Sequence, residues 1–175
     1  MNKFNNKILF NIIGFYLCWW ISIFGAANNN NFIGPIFVLI FLLVHFLYVV
    51  NQKNEIIFIL ICFFIGLFVE TCFLKFNVID YRGYLPNKFN IAPLWVVFLW
   101  MCFGSSISQS FKWAKGNYFY LSLLGVVSGP IIYVSATKVE ALYFNFSIYF
   151  NLMSVSIAWG IFVPLVVYIS DQMVD

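Results

Sequence analysis

One carboxylate at the end of a long apolar run is where chemistry in this chain would begin. Glu70 lies near the close of the run from Ile56 to Leu74. A charge inside a membrane span is costly, so an ionisable side chain there is read first as functional. Lys75, Asp80 and Arg82 follow it, and Lys138, Glu140, Tyr133 and Asn151 fall at the same end of later segments. Together they would make a polar pocket floored by Glu70, which could act as ligand, proton acceptor or general acid. The candidate ligand-binding set is Glu70, Lys75, Asp80, Arg82, Tyr133 and Asn151. The structural alternative is that Glu70 pairs with a lysine or, protonated, ties two helices together.

A second polar group falls at the opposite end of the segments. His45 lies late in the second apolar run, and Ser105, Ser106, Ser108, Gln109 and Ser110 close the fourth. Ser105 and Gln109 are four apart, as are Ser106 and Ser110, so each pair shares a helix face. These read as interhelical hydrogen bonds and a satisfied histidine. Trp95 and Trp100 differ in depth along the same segment; they read as interfacial anchors, or as an aromatic wall for an acyl chain or ring. No Gly-x-Ser-x-Gly elbow, paired-histidine zinc motif or phosphate loop occurs. With one histidine, no metal site or cofactor is expected. Cys18, Cys62, Cys72 and Cys102 lie in apolar runs without CxxC spacing, which argues against a disulfide framework.

The elements that position these residues follow from composition. Of 175 residues, 63% are hydrophobic and 9% charged, against about 25% charged in a soluble domain. So few charges cannot cover a water-facing surface, and lipid is the implied solvent. The nine Lys and Arg are scattered between apolar runs, which excludes a nucleic-acid footprint. Crossing about 30 Å of hydrocarbon takes about 20 apolar residues. Six segments reach that length, at about 8–27, 32–50, 56–74, 92–111, 118–137 and 147–170. None alternates as a membrane strand would. The expected fold is all-α: a polytopic integral membrane protein of six transmembrane helices in an up-down bundle, one domain over 1–175. The first segment holds Trp19 and Trp20 and reads as an uncleaved helix rather than a signal peptide.

Short connections force neighbouring helices to run antiparallel. The longest loop, 75–91, carries Lys75, Asp80, Tyr81, Arg82, Tyr84 and Lys88. Lys3, Lys7, Lys53, Lys112 and Lys115 fall at one end and Lys75, Arg82, Lys88 and Lys138 at the other, which places both termini in the cytoplasm. Small residues should mark packed faces in lipid. Gly14, Cys18, Ser22 and Ala26 form one stripe; Cys62, Gly66 and Glu70 form another; Gly125 and Gly129 form a third, near Ser122 and Tyr133. They read as seams within one monomer. The second helix has few such residues after Gly34 and should face lipid. Pro130 and Pro164 each remove a backbone donor and should kink their helices.

Pro93-Leu94-Trp95, Trp100, Ser110-Phe111-Lys112-Trp113, Gly129-Pro130 with Tyr133, and Glu70 at the end of the third helix carry a resemblance. The chain resembles a family of small bacterial inner-membrane proteins classed as a domain of unknown function. The family's pattern places an Asn-His pair before the serine matching Ser110, where this chain has Ser108 and Gln109. The resemblance implies a bacterial plasma-membrane address and no activity.

Three functions fit. The preferred one is a membrane protein that binds a lipid or small molecule, or a transport component, without chemistry of its own. The others are a membrane-embedded enzyme acting on a lipid or isoprenoid with Glu70 or Asp80 as acid or base, and an accessory protein without a site. Membrane lipids are the expected partners. An enzyme needs several converging polar groups. A secondary transporter shows repeats or paired broken helices, and neither is seen here.

Overall fold

The computed structural model describes residues 3–49, 53–83, 90–110 and 114–174. Tyr84, Lys88, Phe111, Lys112 and Trp113 lie outside the described residues, as do the side chains of Lys3 and Lys53. Six helices and two short strands follow in the order α1 (Lys3–Ala27), α2 (Ile33–Tyr48), α3 (Lys53–Lys75), β1 (Ile79–Tyr81), α4 (Leu94–Ser110), α5 (Tyr118–Lys138), β2 (Leu142–Phe144) and α6 (Ile148–Met173). Four of them, α1, α3, α5 and α6, are long and apolar enough to cross a membrane. The other two, α2 and α4, have 16 and 17 residues. Exposed positions along the bundle are greasy: Leu39, Leu43, Phe64, Phe68, Val127 and Ile131 face outward.

At one end lie the start of α1 and the end of α6. There Lys7 Nζ donates to Val49 O at 3.1 Å, and Asn54 Nδ2 donates to Met173 O at 3.0 Å. The other end carries the strands. Three helices leave that end through one device, a left-handed residue that lets two amides turn back onto the last carbonyls. Asn29, Asn77 and Glu140 take φ of 56°, 53° and 60°. The returning bonds are Asn30 N to Gly25 O at 2.8 Å, Val78 N to Phe73 O at 2.9 Å and Ala141 N to Ala136 O at 3.0 Å.

The α3 and α5 caps feed the two strands, which pair antiparallel with Ile79 opposite Phe144 and Tyr81 opposite Leu142. The sequence reading has only loop here; the structure has a two-stranded clasp joining distant connections. Alternation along β1 buries Ile79 and Tyr81 and exposes Asp80. Arg82 locks the clasp: its guanidinium reaches Glu140 Oε2 at 3.2 Å and Ala27 O at 3.0 Å.

At the centre lies α4, 12 of whose 17 residues are buried. It packs on α1, α2 and α3, and α5 packs on α6. The small-residue seams explain how. A Cβ on Gly66 would stand 2.3 Å from Trp100 Cγ, and one on Gly125 would stand 2.3 Å from Trp159 O. The stripes are therefore contacts inside one chain. With Val38, Phe41, Leu42 and His45 turned inward and Leu39, Leu43 and Leu47 outward, α2 lies at the rim of the bundle.

Both internal prolines sit within unbroken helices. Pro130 cannot donate to Val126 O, and Pro164 cannot donate to Gly160 O. Ser156 Oγ on α6 donates to Val126 O at 3.0 Å, and Ser122 Oγ on α5 donates to Gly160 O at 2.7 Å. Each helix thus supplies the hydroxyl that completes the other.

Candidate functional site

Two buried polar centres occupy opposite ends of the bundle. At the clasp end, Glu70 on α3 is fully buried. Tyr81 of β1 donates to its Oε2 at 2.6 Å. Trp100 Nε1 of α4 and Tyr133 Oη of α5 donate to its Oε1 at 2.8 and 2.6 Å. An indole N–H can only donate, so Trp100 requires an acceptor here. One carboxyl group therefore joins three helices and the clasp. Burial, and then the neighbouring Glu70 and Tyr133, push the Tyr81 hydroxyl well above the ordinary tyrosine range, so at neutral pH it keeps the proton it donates.

Of the six residues expected to gather, Glu70 and Tyr133 are in direct contact. Lys75 and Asp80 are exposed. Arg82 pairs with Glu140, and its ring neighbour is Tyr143 at 5.5 Å. Asn151 is buried but turns to its own helix start, donating to Phe146 O at 2.8 Å and Ser147 O at 3.0 Å. Tyr81 and Trp100 complete the Glu70 centre. The pleat of a strand aims Tyr81 inward, and three residues are too few for that strand to be read from periodicity. Trp100 stood near mid-span, a depth unlike that of an interfacial anchor, and that was its signal.

The other centre lies near the chain termini. His45 Nδ1 meets Asn11 Oδ1 at 2.8 Å and its Nε2 meets Glu55 Oε1 at 3.1 Å. Ser108 Oγ donates to the same Glu55 oxygen, and Gln109 Nε2 reaches it at 3.4 Å. Asn11, His45, Glu55 and Ser108 come from α1, α2, α3 and α4, and all four are buried. The serine-rich end of α4 and His45 were legible as hydrogen-bonding groups. Glu55 was not, because it reads as the end of the polar turn 51–55, before the apolar run from Ile56, whereas the structure has it in the first turn of α3. Since His45, Ser108 and Gln109 converge on one carboxylate oxygen, their removal should not be additive. Glu55→Ala should cost about 2–3 kcal/mol, the range for breaking a buried network. His45→Ala should cost about as much, and the double variant only about 1 kcal/mol more than either, by thermal unfolding in detergent.

Between the centres runs an apolar interior of two hollows. The first touches Glu70, Trp95, Trp100 and Tyr133 and holds about 50 Å³. The second holds about 430 Å³ and is bordered by Tyr16 of α1, Ser106 and Ser110 of α4, Leu124 and Ser128 of α5, and Val163 of α6. Phe15, Phe103, Ile132 and Trp159 wall both. Trp159 Nε1 lies near the Tyr133 hydroxyl without closing a hydrogen bond of ordinary geometry.

Fold and centres together define a helical bundle, four of whose helices are long and apolar enough to cross a membrane, with an apolar exterior, an aromatic interior and enclosed polar ties at both ends. Residues 8–165 match the family described as a protein of unknown function (DUF2878), and the chain belongs to that family. No curated protein and no solved structure matches the chain.

Proposed function

We propose that this is a six-span protein of the bacterial plasma (inner) membrane, with both termini in the cytoplasm, that binds a lipid or small apolar molecule without transforming it. It would serve as a binding protein or as a component of a transport system. Even helix number puts both ends on one face, and the basic residues at that face, Lys7 among them, fit the cytoplasmic side. Enclosure by neighbours lets α4 be short, since its ends need not match the bilayer surfaces.

The observation that carries the binding reading is the 430 Å³ hollow. Ligand pockets span about 300–1,000 Å³, are mostly apolar and hold few polar groups. Chemistry is disfavoured because the ionisable side chains best placed for it are occupied. Glu70 accepts from three donors, and Glu55 and His45 hold each other away from either hollow.

Mass spectrometry of lipids co-purifying in mild detergent tests the reading. One lipid class should be enriched near stoichiometry over the bulk membrane extract. A co-purifying composition equal to the bulk extract, with a melting temperature unmoved by added lipid, would remove the binding function.

A further inference from the structure

We infer that the larger hollow takes a single acyl chain from the bilayer, admitted sideways between α1 and α5, with its oxygen-bearing head at Ser106 and Ser110 and its tail toward Trp100 and Tyr133. This deepens the binding reading above and rests on it.

The opening follows from packing. α1 packs on α2 and α4, whereas α5 packs on α6 and β2. The first and fifth helices therefore face each other across a gap floored by Phe103 of α4 and Trp159 of α6. The rim residues Ile12, Tyr16 and Leu124 are exposed and apolar, so the gap opens onto the same medium as the outer faces of the bundle. At that depth the medium is acyl chain, which makes a chain the occupant at hand.

The dimensions suit one chain. The two hollows share four wall residues and follow α4 from Trp95 to Ser110. At 1.5 Å per residue that is about 22 Å, about three-quarters of a hydrocarbon core about 30 Å thick.

The polarity sets direction. Toward the clasp, the walls are Trp95, Val96, Leu99 and Leu142, with Glu70 already engaged by three donors. Toward the termini come the hydroxyls of Ser106 and Ser110, with that of Ser128 at mid-depth. Ser106 turns back to Cys102 O at 3.2 Å. Ser110 Oγ is buried and makes no hydrogen bond among the described residues. A buried hydroxyl without a partner is costly, and an oxygen acceptor on a ligand would satisfy it. A carboxylate or ester carbonyl at the end of a chain supplies that acceptor; a bare hydrocarbon does not.

The probe is 9,10-dibromostearate, whose bromines quench tryptophan on contact, added to the full chain in detergent. Saturable quenching near one equivalent is expected, displaced by oleate. Displacement by 1-octadecene, which has the tail without the head, should be at least about tenfold weaker, and Ser110→Ala should weaken binding by about fivefold to tenfold, the worth of one hydrogen bond. Ser128→Phe, or Leu124→Trp should the first fail to fold, fills the gap and should abolish saturation while the melt stays cooperative. Quenching that rises without saturation, or that persists in both filled variants, overturns the assignment. Geranylgeraniol displacing the probe more tightly than oleate overturns the acyl assignment. A co-purifying lipid that remains bound in the filled variants would leave the binding function standing and remove this location.

Discussion

Glu70→Ala should lower the stability of the detergent-solubilised protein by about 3–4 kcal/mol, and its melting temperature in a thermal unfolding scan by about 10 °C. The reasoning runs from the three donors that the carboxyl group receives. Hydrogen bonds within membranes contribute about 0.6 kcal/mol each, so their loss alone would be modest. The larger cost is what the alanine leaves behind: two phenol hydroxyls and an indole N–H, each enclosed and each losing its acceptor. Glu70→Gln gives a sharper comparison. Its carbonyl oxygen can still accept from Trp100 and Tyr133. The Tyr81 hydroxyl can rotate and accept from the new amide, because a hydroxyl works in either direction. The glutamine variant should therefore lose only about 1 kcal/mol. Equal losses in both variants would mean that the carboxylate's charge matters, and no loss in the alanine variant would mean that the tie is not structural at all.

The second large effect is expected at Gly125. Replacing a helical glycine by alanine ordinarily stabilises by about 0.5–1 kcal/mol. Here the added carbon would stand 2.3 Å from the backbone oxygen of Trp159, and backbone cannot swing aside. The α5–α6 seam must open, which also stretches the Ser122–Gly160 and Ser156–Val126 bonds. Gly125→Ala should cost about 3 kcal/mol in thermal unfolding, the upper range for overpacking. Gly116 provides the contrast. Nothing lies within 4 Å of an added carbon there, but its φ is +77°. Gly116→Ala should cost about 1–2 kcal/mol, from conformation alone. Equal costs at the two glycines would remove the close-packing account.

The helices were legible because lipid simplifies the code. A run of about 20 apolar residues has few alternatives, and Gly125, Gly129 and Gly66 advertised their seams by size. Ends were less legible. α1 begins at Lys3, five residues before its apolar run, because Asn5, Asn6 and Lys7 can be helical without being greasy. The strands were invisible, since three residues each carry no periodicity and pair only across sixty positions of chain. Glu70 could be singled out by its cost. Of its partners, Tyr133 falls at the same end and belongs to the candidate set, Trp100 differs from an anchor only by its depth, and Tyr81 comes from the unseen strand. Lys75 and Asp80 look like companions of Glu70 in the sequence, yet the cap at Asn77 and the pleat of β1 leave both exposed.

The crossed serine–proline bonds bear on how the chain is made. A bare carbonyl in hydrocarbon costs several kcal/mol. Taken alone, each of the last two helices has such a carbonyl, and each holds the other's remedy. If these helices cross a bilayer, the fifth would therefore gain from entering it together with the sixth, as a finished pair.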